Sequence, residues 1–327
     1  MSLLLELRRL RLLNVLATEG TVTAAAQAAH ISGPAVSQQL AQLERETGVQ
    51  LVERVGRRLR LTEAGQLLVA HTRIVLDQLA AAEADLVALG TEIVGTVRVA
   101  AFSSAIATLV ADAWQQLRAE HAPRIRLQIS TLEPEQGLEA LKRGDADIVI
   151  AYSYDLVPGP LPTSVERQEL LIDPVVLAIA AGDPLHTSAD RPLPVSLATL
   201  AERDWLVPDA MSACYRMVEH ACRAAGYVPR TVAQCAEFSA MLALVAAGEA
   251  VALVPQLAAH QKPDNVALLD IAPATARHVF TLTRPGGARH PAVRVVLDQL
   301  AEAARQRRPV RASSSRRPAR GERRPAG

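Results

Sequence analysis

Side chains suited to recognising another molecule are concentrated in residues 21 to 44. A turn at residues 30 to 32 precedes a predicted helix whose inner face is Val36, Leu40 and Leu43. The other faces carry hydroxyl and amide groups, which can hydrogen-bond phosphates and base edges, and glutamine can pair with adenine through two hydrogen bonds. The candidate DNA contacts here are Thr21, Thr23, Ser32, Pro34, Ala35, Ser37, Gln38, Gln39 and Gln42.

A short basic segment follows this pair of predicted helices. Residues 51 to 61 read as two strands around Gly56, and they add Arg54, Arg57 and Arg58 as candidate phosphate contacts. A basic hairpin beside a helix-turn-helix forms a wing, which suits DNA phosphates and the minor groove. An ordinary helical hairpin with a solvated polar face is the alternative for residues 21 to 44 taken alone. The adjacent basic hairpin favours DNA binding.

A second set of polar residues follows predicted strands further along the chain. Ligands in open α/β sheets bind at the carboxyl ends of strands, beside helix N-termini with free amides. Free amides and serine hydroxyls favour the binding of a carboxylate or phosphate, although Glu237 is close by and basic residues are few. Each serine can instead cap a helix, and the sequence leaves both roles open. The candidate ligand contacts are Ser103, Ser104, Thr131, Tyr152, Ala210, Met211, Ser212, Phe238 and Ser239.

Patterns that carry catalysis or metal binding are not found in the sequence. It contains no nucleotide-binding glycine loop, no metal-spaced histidine pair and no Gly-x-Ser-x-Gly segment. We therefore expect no enzymatic activity, no cofactor and no metal site. Cys214 and Cys222 suggest redox sensing as an alternative, but eight positions on one helix separate them by about 12 Å, too far for a disulfide. A free-standing solute-binding protein is a second alternative, disfavoured by the wing.

The distribution of charge separates the two ends from the middle of the chain. The 327 residues have a net charge of +1, yet residues 1 to 61 hold eight arginines and five glutamates. Residues 305 to 327 hold nine arginines against Glu322 and lack large apolar side chains, so we expect a disordered tail. The remaining body has a net charge of −10, which places any polyanionic partner at the ends. No stretch is long and apolar enough to cross a membrane, so we expect a cytoplasmic protein.

Residues 62 to 93 show a heptad repeat typical of a coiled coil. Two apolar lines alternate by four and three residues, which predicts a seam between two copies of the helix. A dimer with two-fold symmetry presents paired recognition helices to a two-fold-related DNA site. The alternative is one amphipathic helix packed on its own body. The predicted seam residues are Leu68, Val75, Leu79, Ala82, Leu86 and Leu89.

From residue 95 the pattern predicts strands alternating with helices. Residues 96 to 102 and 124 to 129 alternate with period two, and 147 to 151 form a short apolar run. Alternating strands and helices predict a mostly parallel sheet covered on both faces. After the proline-rich segment at 157 to 162 the alternation resumes at 174 to 179 and 250 to 254, which predicts a second α/β unit.

The first 65 residues resemble the winged helix-turn-helix of LysR-type transcriptional regulators. The matching segments include Thr21-x-Thr23-x-Ala25-Ala26, Ser32-x-Pro34-Ala35-Val36-Ser37, Leu43-Glu44-x-x-x-Gly48 and Leu61-Thr62-x-Ala64-Gly65. Gly33 departs from the glutamine usual at the start of the recognition helix. The body resembles the family's effector-binding domain to about residue 304, through Leu138-x-x-Leu141-x-x-Gly144-x-Ala146-Asp147 and Leu244-Val245-Ala246-Ala247-Gly248.

The resemblance implies a multidomain α+β architecture: a winged helix-turn-helix (1–61), a dimerisation helix (62–92) and an effector-binding domain (93–304) similar to periplasmic binding proteins, followed by the tail (305–327). Its two subdomains would comprise residues 93–160 with 267–304, and residues 161–266, with crossings near 157–162 and 265–270. The implied function is sequence-specific regulation of transcription under a small-molecule effector, anionic on the argument above. The implied partners are double-stranded DNA with an interrupted palindromic operator, a second or further copies forming a dimer or tetramer, and RNA polymerase.

Overall fold

The computed structural model describes residues 5–55, 58–88, 93–121, 124–157, 165–187, 194–248 and 250–307. Two residues predicted to function in binding, Arg57 and Leu89, lie outside this part of the chain, as does the predicted tail from residue 308. Among the described residues, no helix is long and apolar enough to span a membrane.

Three helices and a hairpin make the N-terminal unit. They are α1 (Leu7–Glu19), α2 (Val22–Ala28), α3 (Gly33–Thr47), β1 (Val52–Val55) and β2 (Arg58–Leu61). The Thr21 hydroxyl accepts from the Ala24 amide at 3.2 Å, and the Ser32 hydroxyl accepts from the Ala35 amide at 3.4 Å. Thr21 and Ser32 therefore cap α2 and α3, and His30 at φ 53° makes the tight turn between the two helices.

A long helix, α4 (Glu63–Ala88), leads away from the hairpin. Thr62 begins it by accepting a hydrogen bond from the Gly65 amide at 3.0 Å. Gly65 lies so close to the preceding loop that an added Cβ would be 2.1 Å from the Leu51 carbonyl oxygen. Val69 and Thr72 are buried on the side of α4 that packs on α1. The first turns of α4 are thus part of the N-terminal unit.

The body that follows contains two sheet regions and their covering helices. Its elements are β3 (Gly95–Ala101), α5 (Ser103–Ala105) leading through a π-helical stretch into α6 (Ala111–His121), β4 (Ile125–Thr131), α7 (Pro134–Arg143), β5 (Ile148–Tyr154), β6 (Glu166–Ala180), α8 (Pro184–Thr187), β7 (Val195–Ser196), β8 (Asp204–Pro208), α9 (Ala213–Ala224), β9 (Arg230–Cys235), α10 (Phe238–Ala246), β10 (Ala250–Pro255), β11 (Val266–Leu269), β12 (Ile271–Ala272), β13 (Ala276–Thr283) and α11 (Pro291–Gln306).

The sheet order is β4-β3-β5-β13-β6-β10-β8-β9, with β11 also paired to β6. Strands β4, β3 and β5 run parallel, as do β10, β8 and β9, while β13 and β6 are antiparallel to their neighbours. Each parallel set has a separate apolar core. The expected alternation of strands and helices in two α/β units is present, and β6 and β13 join the two.

The subdomain boundaries differ from those predicted. In β6, Asp173 pairs with Arg277 of β13, whereas Val175 pairs with Pro255 of β10, so the strand changes subdomain at Pro174 and not at residue 161. Strand β11 pairs with the second half of β6 and belongs to subdomain II, which moves the other crossing from 265–270 to the residues before β13. Proline-rich segments do not mark these crossings in the sequence, because one crossing lies within strand β6 and the other lies directly before strand β13.

The C-terminal helix extends beyond the predicted start of the tail. Helix α11 ends at Gln306, and the Arg307 guanidinium lies 2.6 Å from Asp112 at the start of α6. Residues 305 to 307 therefore belong to the folded body, contrary to the prediction. The helix continues because Val296, Leu300 and Ala304 pack on subdomain I up to its last turn.

Candidate functional site

Helix α3 presents a polar surface away from the core of the N-terminal unit. Val36, Leu40 and Leu43 are buried as predicted, whereas Pro34, Ser37 and Gln38 are exposed. Ser32 and the exposed Thr23 extend this surface toward the turn between the helices. The exposed hydroxyls and amide at one end of a helix can contact phosphates and base edges in a major groove.

Two of the predicted base contacts face other protein side chains. The Gln39 side-chain oxygen accepts a hydrogen bond from Arg9 of α1 at 3.1 Å. The Gln42 amide donates to Glu46 at 3.0 Å, and its oxygen accepts from Arg45 at 2.6 Å. Gln39 thus faces α1, and Gln42 is paired with side chains one turn further along α3. The sequence groups them with Gln38 because none of the three lies on the buried face formed by Val36, Leu40 and Leu43.

Glu44 connects the predicted recognition helix to the wing. One oxygen of its carboxylate accepts hydrogen bonds from the backbone amides of Leu51 and Val52, at 2.8 and 3.1 Å. These amides begin β1, which pairs with β2 in an antiparallel hairpin in which Arg54 is opposite Leu59 and Arg58 is opposite Val55. The carboxylate therefore fixes where the hairpin starts relative to α3. The sequence shows this glutamate only as part of the family pattern, because its hydrogen bonds to the Leu51 and Val52 amides depend on the three-dimensional fold.

Helix α4 has an exposed apolar stripe beyond its contact with α1. Val75, Leu79 and Leu86 are 44%, 38% and 69% exposed, and Ala82 lies exposed among them. They are spaced by four, three and four residues. Leu68, predicted for the same seam, is half-buried against the core of the N-terminal unit of its own chain.

A buried arginine lies where the two subdomains meet. Arg277 of β13 is directly opposite Tyr154 of β5 on one side and Asp173 of β6 on the other. Its Nε donates to Asp173 at 2.6 Å, and its Nη2 donates to the Ser104 hydroxyl at 2.8 Å. Its Cζ atom is 4.7 Å from the centre of the Phe102 ring. Arg277 is 1% exposed, so a full positive charge is held in the interior.

The environment of this arginine is aromatic and polar. The Tyr152 ring lies 4.8 Å from Phe102 and 5.4 Å from Tyr154, centre to centre, and packs against the cores of both subdomains. The Tyr152 hydroxyl donates to Glu133 at 2.9 Å. The hydroxyl of the fully buried Tyr154 interacts with the buried thiol of Cys214. Burial raises the pKa of the Asp173 carboxyl, an effect opposed by Arg277 and the Leu257 amide.

The predicted ligand contacts are distributed unevenly around this centre. Ser104 and Tyr152 contact Arg277. Thr131 of β4 pairs with Ala101 of β3, and Ala101 lies two residues before the exposed Ser103. Ser212 caps α9 by accepting a hydrogen bond from the Tyr215 amide at 3.0 Å. The preceding residues Ala210 and Met211 are exposed, Met211 by 86%. Phe238 packs against the same core as Tyr154, and Ser239 is exposed. Arg277 itself was missed, since no local pattern marks it.

Two family profiles together match almost all of the described chain. "LysR substrate binding domain" matches residues 90–305, and "Bacterial regulatory helix-turn-helix protein, lysR family" matches residues 7–66. The chain belongs to the LysR family of transcriptional regulators. The resemblance stated from sequence motifs, the multidomain fold class and the function of DNA-binding regulator are thereby confirmed.

Relatives of this LysR-type regulator span most of its length. HTH-type transcriptional regulator TfdS of Cupriavidus pinatubonensis is 30% identical over 310 residues, covering 90% of this chain and 97% of the relative. ClcR of Pseudomonas putida is 28% identical over 256 residues, covering 78% and 84%. A full-length OxyR cysteine variant from Pseudomonas aeruginosa matches the fold with a TM-score of 0.67 at 23% identity, covering 90% and 94%. Full-length CbnR complexed with its target DNA matches with a TM-score of 0.52 at 21% identity, covering 91% and 100%.

The thiols of this LysR-type regulator do not favour the redox alternative. Cys214 and Cys222 are buried on α9, and burial raises the pKa of each thiol to about 11. Since the thiolate is the reactive form, burial disfavours reaction of both groups at neutral pH. The comparisons do not favour this alternative or the solute-binding one.

Proposed function

We propose that this regulator reads an interrupted palindromic operator with α3 and uses the β1–β2 hairpin as a phosphate-binding wing. The proposal is supported by the exposed Pro34, Ser37 and Gln38 and by the Glu44 carboxylate that fixes the hairpin beside them. We expect Arg54, Arg57 and Arg58 to contribute phosphate contacts, which are independent of sequence. RNA polymerase is the proposed partner that receives the regulatory signal.

DNase footprinting of the full-length chain on the DNA upstream of its own coding region tests this proposal. We expect two protected half-sites related by two-fold symmetry and separated by about one or more helical turns. The paired variant Arg57→Ala and Arg58→Ala is expected to weaken all binding and to reduce its salt dependence. Uniform binding to any DNA at moderate salt, with no protected sequence, would contradict operator recognition.

We propose that two chains dimerise through the stripe formed by Val75, Leu79, Ala82 and Leu86 of α4. The supporting observation is that these apolar side chains are exposed in the single chain at the spacing of a coiled-coil seam. Exposed apolar surface of this regularity is typical of an interface. A tetramer of two such dimers is the proposed higher assembly, through other surfaces.

We propose that a small molecule binds between the subdomains at the carboxyl ends of β3 and β5 and changes the geometry of the DNA-binding units. The observation that supports this site is the convergence of Ser104, Tyr152 and Phe102 from subdomain I with the core of subdomain II. A ligand shifts the conformation only to the extent that it binds one state better than the other. Ser103, exposed at this edge, is the proposed direct contact, and Ser104 is proposed to act through Arg277.

Replacing Ser103 by Trp tests this site. The bulky side chain is expected to abolish the effect of the effector on the footprint while DNA affinity without effector stays within about twofold. Thr131→Trp, on the neighbouring strand, is a second obstruction. Unchanged effector responses in both variants would exclude this edge of the sheet.

A further inference from the structure

The arginine-rich segment 308–327 carries a strong charge that the proposed function does not use. It holds seven arginines against Glu322, a net charge of +6, and no apolar side chain larger than that of Val310. The family profile of the effector-binding domain ends at residue 305, so the segment is not part of the domain that the family shares. Its charge therefore calls for a separate explanation.

The two arginines that precede this segment are already paired within the folded body. Arg305 pairs with Glu302 one turn earlier in α11, and the Arg307 Nε atom lies 2.6 Å from a carboxylate oxygen of Asp112 in α6. The pair formed by Arg307 and Asp112 joins the end of α11 to α6. The segment thus leaves the body from a defined point on subdomain I.

The body is acidic, but many of its carboxylates already have a cationic partner. Residues 62 to 304 have a net charge of −10. Within the described ranges, the aspartates paired with an arginine of the body include Asp147, Asp173, Asp183 and Asp204. Duplex DNA, by contrast, carries one charge per about 1.7 Å and releases condensed counterions when arginine binds it. DNA is therefore a stronger partner for the segment than the body's own surface.

The helices of the chain set the distance between the start of the segment and the DNA-binding unit. Helix α4 begins beside the wing, is about 39 Å long, and packs against residues 287 to 289 and the start of α11. Helix α11 adds about 24 Å. Even with both helices in line, Arg307 is about 60–70 Å from the wing at most. Twenty residues span about 66–72 Å when fully extended, so the segment can reach DNA bound by its own chain.

We propose that residues 308 to 327 form a second DNA-binding element, which contacts phosphates independently of sequence and outside the operator contacts of α3 and the wing. Arginine stays charged at every physiological pH, and its guanidinium matches the geometry of a phosphate. The element raises the affinity of the regulator for any duplex and keeps the chain near DNA while α3 samples sequences. It adds to the operator recognition proposed above and does not depend on it.

Salt titration on DNA without an operator tests this element. The full-length chain is compared with a chain ending at Arg307 by fluorescence anisotropy, on a scrambled duplex of about three helical turns. At about 50 mM salt we expect the shortened chain to bind at least tenfold more weakly. The slope of log affinity against log salt is expected to be shallower by about three to six per chain, because each phosphate contact contributes about 0.9. Equal affinities and slopes would overturn the proposal.

Two variants of full length separate charge from chain length. In the first, every arginine of the segment becomes glutamine, and in the second every one becomes lysine. The glutamine variant is expected to behave like the shortened chain, whereas the lysine variant is expected to bind within about twofold of the unaltered chain because its charge is kept. An equal loss in both variants would overturn a contact based on charge. The substituted positions are Arg308, Arg311, Arg316, Arg317, Arg320, Arg323 and Arg324.

Thermal denaturation is the control for folding. The side chains of α11 pack on subdomain I up to Ala304, before the segment begins. The shortened chain and both variants are therefore expected to melt at the same temperature as the full-length chain. A lower melting temperature in the shortened chain and the glutamine variant would show that the segment is held by the body, which would overturn its assignment to DNA.

Footprinting at low salt separates this proposal from operator recognition. We expect the shortened chain to protect the same sequence as the full-length chain, because α3 and the wing are unchanged. Loss of salt-dependent affinity on shortening, with no protected sequence for either chain, would preserve the second element and contradict operator recognition. Equal footprints with equal salt slopes would preserve operator recognition and overturn the second element. Tighter binding of the full-length chain to single-stranded RNA than to the scrambled duplex would assign the segment to RNA instead.

Discussion

Gln38 and Gln39 are neighbours in the chain with different surroundings. Gln38 is exposed on the free surface of α3, whereas the Gln39 side chain is held by Arg9. Gln38→Ala is therefore expected to reduce discrimination between the operator and scrambled DNA by about 1–3 kcal/mol, the contribution of one base contact. Gln39→Ala is expected to leave discrimination nearly unchanged. Competition between operator and scrambled DNA measures the loss of discrimination in each variant. A larger loss for Gln39→Ala than for Gln38→Ala would show that Arg9 releases Gln39 when the protein binds DNA.

Asp147 lies between two arginines in subdomain I. Burial raises the pKa of its carboxyl, but hydrogen bonds from Arg98, at 2.8 Å to the guanidinium, and the charge of Arg284 leave the pKa lowered overall. A lowered folded-state pKa stabilises the fold above the unfolded value of about 4, and this contribution is lost as pH falls through the folded value. Asp147→Asn is expected to lose about 1–3 kcal/mol of unfolding free energy at pH 7 and much less near pH 2.

Urea denaturation at the two pH values measures this difference. Asp145→Asn is the control on the same turn, because the Asp145 side chain is 61% exposed and its pairing with Arg143 contributes little. An equal loss at both pH values for Asp147→Asn would assign its role to packing and not to charge.

At the residue scale, local chemistry was predictable and distant pairing was not. The caps Thr21 and Ser32 follow from residues a few positions away. Arg277 meets Asp173 across 104 positions and Ser104 across 173, so no window of sequence brings them together. The few basic residues near the predicted ligand contacts argue against an anion, and the one distant arginine that the fold brings to them is already paired with Asp173.

The contact between α4 and the loop before the wing sets the geometry of the N-terminal unit. Gly65→Ala places a methyl group 2.1 Å from the Leu51 carbonyl oxygen, where the fixed backbone of the hairpin cannot yield freely. We expect a loss of about 1–3 kcal/mol in stability and weaker DNA binding. Gln66→Ala, at an exposed position one residue later, is expected to change neither. Thermal denaturation and operator affinity give the comparison, and a fully stable Gly65→Ala would mean that α4 shifts as a whole.

At the element scale, periodicity predicted types better than partners. The strands at 96 to 102 and 147 to 151 were recognised from their apolar patterns, and β3 and β5 occupy these positions. The heptad pattern also contained Leu68, which packs within its own chain. An apolar stripe indicates that a face is covered, and only the surrounding structure indicates which surface covers it. Likewise β6 changes subdomain at Pro174 without any break in its strand pattern.

The oligomeric state is a property of the whole molecule and depends on α4. Leu86→Glu places a charge on the most exposed apolar residue of the stripe. We expect the dimer to dissociate at micromolar concentration and operator binding to fall at least tenfold, because paired half-sites are no longer engaged together. Ala70→Glu, an exposed change on the opposite side of the helix, is the control. Sedimentation velocity distinguishes the states, and a dimeric Leu86→Glu protein would place the interface elsewhere.

The strand pairing of the body determines when each part can fold during synthesis. The core of subdomain I combines Val99 and Ile148 with Val279 and Leu297, so it lacks essential side chains until the final helix is made. The N-terminal unit uses residues before Ala88 alone. Since the ribosome releases the chain from its N-terminus, the DNA-binding unit can fold long before the body. A product cut short by premature termination within the body would retain DNA-contacting surfaces while lacking the part proposed to sense the effector.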